Sequence, residues 1–181
     1  MTQLVDQKTL LDAEGIDRAL VRMTHEILEA NRGAADLCLV GIERGGGPLA
    51  KRLAERVRAI EGVSPPIGSL DITLYRDDVG AHSAPQVGPT RIDFPITGKT
   101  VVLVDDVLYT GRTVRAALDE LVDFGRPRRV YLACLVERSG RELPIQPDFV
   151  GKHVVAGPGE NIEVRLAERQ GADEVVHQRR G

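Results

Sequence analysis

One thirteen-residue string restricts the folding options of this chain more than any other: Val101-Val102-Leu103-Val104-Asp105-Asp106-Val107-Leu108-Tyr109-Thr110-Gly111-Arg112-Thr113. Its four leading aliphatic residues suit a strand buried on both faces, as found inside a parallel sheet. A short polar loop follows, and then an amphipathic stretch with Val114, Ala117, Leu118, Leu121 and Val122 on one side and Gly125 as the stop. Strand, loop and helix in that order form the unit of an open α/β sheet, which binds its ligands at the carboxyl ends of the strands.

The same unit recurs upstream. Asp12 is placed to cap a helix whose Ile16, Ala19, Leu20, Met23, Ile27 and Leu28 share one face, with Asn31-Arg32-Gly33 ending it. Leu37–Ile42 is a second buried strand, and it runs through Gly45-Gly46-Gly47 into a helix opened by Pro48. Ile67–Tyr75 reads as a further strand and Val130–Val136 as another. The expected fold is therefore α/β, a central, mostly parallel sheet flanked by helices. After residue 136 prolines and glycines separate short apolar pairs, which predicts a small C-terminal β-rich hood.

The chain has 181 residues, 42% of them hydrophobic, enough for one sizeable core. The formal net charge of -3 argues against a generally basic nucleic-acid binder but leaves room for a local basic patch. Cys38 and Cys134 both lie inside apolar runs and read as buried free thiols. No segment has the ~20 apolar residues of a membrane span, so a cytoplasmic location is expected.

The loop itself suggests its ligand. A helix N-terminus offers unpaired N–H groups to a phosphate, Thr110 and Thr113 add hydroxyls, and Gly111 lets the backbone approach closely. Asp105 and Asp106 would repel a bare phosphate. They fit a ligand that also carries hydroxyls and a metal ion, such as a sugar phosphate with Mg²⁺. The string resembles the 5-phosphoribosyl 1-pyrophosphate (PRPP) signature of type I phosphoribosyltransferases, and it lacks the GxxxxGK[ST] order of a nucleotide P-loop.

Three further segments narrow the resemblance: Leu70–Asp78 (LDITLYRDD), Gly125-Arg126-Pro127, and Arg141–Ile145 (RELPI) through Gly151-Lys152. With the signature, they make the chain similar, over roughly Leu11 to Glu168, to the PyrR family of pyrimidine operon attenuators that are also uracil phosphoribosyltransferases. The resemblance implies the type I phosphoribosyltransferase fold as a single domain over 1–181, with a core over about 12–136, a hood over about 137–178 and a mobile lid over about 75–92. It implies transfer of the phosphoribosyl group from PRPP to uracil, giving UMP and pyrophosphate, with Mg²⁺ held mainly by substrate and water. Asp105 and Asp106 would hold the ribose hydroxyls, and Val107, Leu108, Tyr109, Thr110, Gly111, Arg112 and Thr113 the 5-phosphate. The lid would begin with Tyr75, Arg76, Asp77 and Asp78. Glu137, Arg138 and Ile162 match the uracil positions. Arg22, His25, Arg141 and Lys152 match the surface that binds the RNA hairpin when UMP is bound. A homo-oligomer is also implied.

The sequence departs from that pattern at the pyrophosphate loop. The family reads Thr-Arg-Gly there, whereas this chain reads Glu43-Arg44-Gly45-Gly46-Gly47, placing Gly45 where the family has Arg. Arg44 is then the catalytic cation if its side chain turns inward, and Gly45 is part of the same PRPP-binding loop. If Arg44 turns outward, the alternative is a UMP- and PRPP-sensing RNA-binding regulator with little turnover. A third reading, transfer to hypoxanthine or orotate, is disfavoured by the LDITLYRDD and RELPI strings. Val21 and Gln146 are departures on the RNA side, where the family has a hydroxyl residue and an Arg.

Overall fold

A computed structural model describes residues 4–75 and 89–180 of the chain. Five parallel strands form the central sheet in the order β3-β2-β4-β5-β6: β2 (Leu37–Ile42), β3 (Ile67–Leu70), β4 (Thr100–Leu108), β5 (Arg129–Arg138) and β6 (Phe149–Val154). The aliphatic runs predicted as strands at 37–42, 101–104 and 130–136 lie inside β2, β4 and β5. Every residue of β2 is buried, as a strand sandwiched between two helical layers requires.

One face of the sheet is covered by α1 (Ala13–Asn31) and α2 (Gly46–Glu61). The other is covered by α3 (Arg112–Leu121), whose Val114, Ala117 and Leu121 pack on Val40, Val101 and Leu103 among others. Asp12 caps α1 by accepting a 2.8 Å hydrogen bond from the Gly15 N–H, and Arg32 closes it in the left-handed conformation.

A second, antiparallel sheet joins the two ends of the chain in the order β1-β8-β7: β1 (Leu4–Leu11), β7 (Glu160–Arg165) and β8 (Glu174–Arg180). The four-residue helix α4 (Ala167–Gln170) sits between β7 and β8.

Three details differ from the sequence reading. The segment read as one strand over 67–75 is β3 ending at Leu70, followed by a 3-10 turn over Ile72–Tyr75. Asp71 makes the bend, because its carboxylate accepts a 2.9 Å hydrogen bond from the Thr73 N–H and so competes with the strand ladder. Residues 149–154, read as part of the hood, form β6 at the edge of the main sheet. There Phe149 is buried, with its ring centroid 5.4 Å from that of Tyr131. The N-terminal residues, assigned no element from sequence, supply the outer strand of the hood sheet. Arg76, Asp77 and Asp78 of the expected lid lie outside the described residues, and of Tyr75 only the backbone is described.

Candidate active site

β4 delivers the signature residues to the carboxyl edge of the sheet. Asp105 is 5% exposed. The Asp106 N–H donates to Asp105 Oδ1 at 2.9 Å, and the Val107 N–H donates to Asp106 Oδ1 at 2.8 Å. One oxygen of each carboxylate is thereby held by the backbone N–H of the next residue.

The loop then turns through Gly111, which has φ 93° and immediately precedes α3. That left-handed conformation suits Gly and would strain a residue with a Cβ. The Arg112 N–H donates to Thr110 Oγ1 at 3.3 Å, while the N–H groups of Glu142 and Leu143 both donate to the Thr110 carbonyl at 3.0 and 3.1 Å. Arg112 Nε donates to Glu142 Oε2 at 2.9 Å. The loop from Val107 to Thr113 is thus braced from outside by the segment carrying the RELPI string.

Two cavities meet here, sharing Asp105, Val107 and Thr113. The first, about 520 Å³, is lined by Glu43, Arg44, Gly45, Asp71, Ile72, Thr73 and Arg169 in addition to Asp106 and the shared residues. The second, about 380 Å³, is lined by the loop from Val107 to Thr113 and by Glu142. Every residue proposed from sequence to bind PRPP therefore borders this composite cleft. Arg44 borders it too, on the side away from the phosphate loop. The Glu43–Arg44 peptide is cis. Burial pushes the Glu43 carboxyl above the usual range, and the positive charge of Arg169 pulls it back down.

The donors beside the cleft suit a hard cation, since Asp71, Asp105 and Asp106 all present carboxylate oxygens. Among the described residues no group of three or more such side chains converges to hold a metal by itself.

A model of the phosphoribosyl transferase domain matches residues 6–168. A protein of Roseiflexus sp. named bifunctional protein PyrR is 58% identical over 166 residues, 91% of each chain. One of the same name from Acetivibrio thermocellus is 53% identical over 171 residues, covering 94% of this chain and 93% of its own. The chain belongs to the PyrR family. A hypoxanthine phosphoribosyltransferase of Trypanosoma cruzi superposes with a TM-score of 0.71, covering 96% of this chain and 97% of its own. At 17% identity it establishes the type I phosphoribosyltransferase fold alone.

The remaining residues singled out from the sequence line neither cavity. Glu137 pairs with Arg141 and, at 2.8 Å, with His153 of β6. The Arg138 guanidinium lies 3.8 Å from the centroid of the Tyr109 ring, and its Nη1 donates to the Glu160 carbonyl at 3.1 Å. Ile162 is buried in the apolar cluster on the α1 side of the sheet. None of these three borders either cavity. Arg22 donates to the carbonyls of Val150 and Gly151 at 3.0 and 2.7 Å, which seats it against the strand that carries Lys152. His25 is exposed one turn along α1, and its Nδ1 lies 2.9 Å from the Val21 carbonyl. The sequence reading missed Arg169, a single Arg in a polar stretch with no motif around it.

Proposed function

We propose that this protein transfers the phosphoribosyl group of PRPP to uracil, giving UMP and pyrophosphate. In its UMP-bound form, it recognises an RNA hairpin in the leader of a pyrimidine operon and acts as an attenuation regulator. The observation that carries the reading is the position of Asp105 and Asp106. They stand where a cavity lined by a helix N-terminus meets a cavity lined by Arg44. A 5-phosphate on the α3 side, ribose over the two carboxylates and a diphosphate on the Arg44 side fit the cleft from end to end.

Bond breaking at C1 leaves positive charge on the ribose ring and negative charge on the departing pyrophosphate. Asp105 and Asp106, oriented by backbone N–H groups, hold the ribose hydroxyls and stabilise the ring charge. Arg44 holds the departing oxygens. Nothing in this scheme requires a covalent intermediate with the protein, so catalysis rests on positioning and fixed charge. Mg²⁺, when bound, neutralises diphosphate oxygens. Arg44 is among the residues lining the cavity beside Asp106, which supports turnover over a regulator that only senses nucleotide.

The uracil assignment follows from membership of PyrR, with Glu137, Arg138 and Ile162 as the matching positions. The RNA surface is assigned to Arg22, His25, Arg141 and Lys152, the first and last of which meet at β6. We assign residues 1–181 to one domain acting in the cytoplasm as a homo-oligomer. Among the described residues no helix is long and apolar enough to cross a membrane. The test offers uracil, hypoxanthine and orotate in turn with PRPP and Mg²⁺, and then measures binding of the leader hairpin with and without UMP. UMP formation from uracil alone and UMP-dependent RNA binding are the expected results. Transfer to hypoxanthine or orotate in preference to uracil contradicts the base assignment, and RNA binding indifferent to UMP contradicts the regulatory one.

A further inference from the structure

We propose that Arg169, carried on α4, is a second cation for the diphosphate of the substrate, lining the same cavity as Arg44. The proposal deepens the reading above and rests on it. Three observations support it.

First, among the described residues the cavity next to Asp106 is lined by the four carboxylates of Glu43, Asp71, Asp105 and Asp106 and by two guanidinium groups, those of Arg44 and Arg169. A diphosphate entering this space meets strong repulsion unless both cations serve it. Removing either one leaves an acidic pocket around an anionic leaving group.

Second, among the described residues neither guanidinium has a hydrogen-bond or ion-pair partner, although most other arginines near the hood are engaged. Arg169 influences its surroundings through charge alone, acting on the Glu43 carboxyl at the cavity wall. An unpaired guanidinium presents a planar fork of N–H donors that matches phosphate oxygens.

Third, the fold holds Arg169 in place by a rigid contact next to it. Arg52 Nε and Nη2 donate to both oxygens of Glu168 at 2.7 and 2.6 Å, and Nη1 and Nη2 donate to Asp173 at 2.9 and 2.8 Å. Asp173 also accepts a 2.7 Å hydrogen bond from the Ala167 N–H. Arg52 belongs to α2, the helix that starts directly after the Glu43-Arg44-Gly45 loop. One guanidinium therefore ties the helix leaving the Arg44 loop to the turn carrying Arg169.

The test uses the full-length protein and the variants Arg169→Ala and Arg169→Lys. Affinity is measured for pyrophosphate with Mg²⁺, for PRPP with Mg²⁺, and for UMP, which has a 5-phosphate but no diphosphate. Arg169→Ala is expected to weaken pyrophosphate and PRPP on the order of 10-fold, the loss of one charge-assisted contact, with Lys restoring part of it and UMP affinity unchanged. Wild-type pyrophosphate affinity in Arg169→Ala overturns the proposal, and so do equal losses for pyrophosphate and UMP. Steady-state UMP formation by the wild type separates the two levels. If the wild type forms no UMP but Arg169→Ala still loses pyrophosphate affinity, the catalytic reading fails and the diphosphate site stands. If the wild type turns over and Arg169→Ala keeps its pyrophosphate affinity, the catalytic reading stands and the role of Arg169 fails.

Discussion

Gly45 and Asp106 occupy adjoining space so closely that a Cβ on Gly45 would lie 2.1 Å from Asp106 Oδ2. The glycine has an ordinary φ of -76°, so it is required by the nearness of the carboxylate and not by the backbone angle. The family's arginine position is closed in this chain unless Asp106 moves, and the available cation stands one residue earlier.

Restoring the family residue should therefore harm the protein. Gly45→Arg displaces Asp106 from the orientation set by its 2.8 Å hydrogen bond with the Val107 N–H. A misplaced catalytic group costs about 10²-fold in rate. A fall of that order in kcat/KM for PRPP is expected from Gly45→Arg, and a smaller fall from Gly45→Ala. Activity equal to or above wild type in Gly45→Arg would show that Asp106 is not held as described.

The Arg52 clamp has a measurable stability and a defined pH dependence. Its hydrogen bonds hold the Glu168 and Asp173 carboxyls below their usual values, so their contribution is full above the unfolded carboxylate range near ~4. That contribution is lost as pH falls through the lowered values of the folded state. Arg52→Met is expected to cost about 2 kcal/mol at neutral pH, the scale of hydrogen bonds to charged groups. Denaturant midpoints of the two proteins should converge in acid. A difference that persists unchanged at low pH contradicts the assignment to these carboxylates.

Arg138 is 8% exposed and lies over the Tyr109 ring in the phosphate loop. A double-mutant cycle of Tyr109→Leu and Arg138→Met should return a coupling energy of about 1 kcal/mol, the scale of a cation–π contact in which Arg138 is buried but Tyr109 is half exposed. Additive effects would mean that the hood and the phosphate loop are independent.

The RNA surface separates into two kinds of residue. Arg22 is committed to the carbonyls of Val150 and Gly151, so Arg22→Ala should lower both stability and RNA affinity. Lys152→Ala should leave the unfolding midpoint near wild type while weakening RNA binding and reducing its salt dependence by about one phosphate contact. A salt slope unchanged in Lys152→Ala removes it from the interface.

The strand, turn and helix that form the Val107–Thr113 wall of the cleft were legible because their residues are contiguous, and local chemistry restricts each of them. The helix α1 was legible for the same reason, from Asp12 to Arg32. The hood was not. Its sheet pairs Thr9 with Val176 and Glu163 with Val176, so its outer strand comes from the opposite end of the chain, and no local pattern announces that partner. β6 was missed because its signal is a few apolar positions among Gly151, Lys152 and His153. Its place in the main sheet is decided by packing against β5 and α1. Arg169 belongs to the same class: its neighbour Glu168 is tied, with Asp173, to Arg52, a contact between residues far apart in sequence.

The most direct measurement of the central claim is UMP formation from PRPP, Mg²⁺ and uracil by the wild type and by Asp105→Asn, with UMP affinity measured in both. Asn keeps the shape of Asp105 and removes its charge. The account predicts a fall in kcat of about 10²-fold or more, the scale for losing one fixed stabilising group at the reacting centre, with UMP still bound. Turnover in Asp105→Asn close to that of the wild type would contradict it.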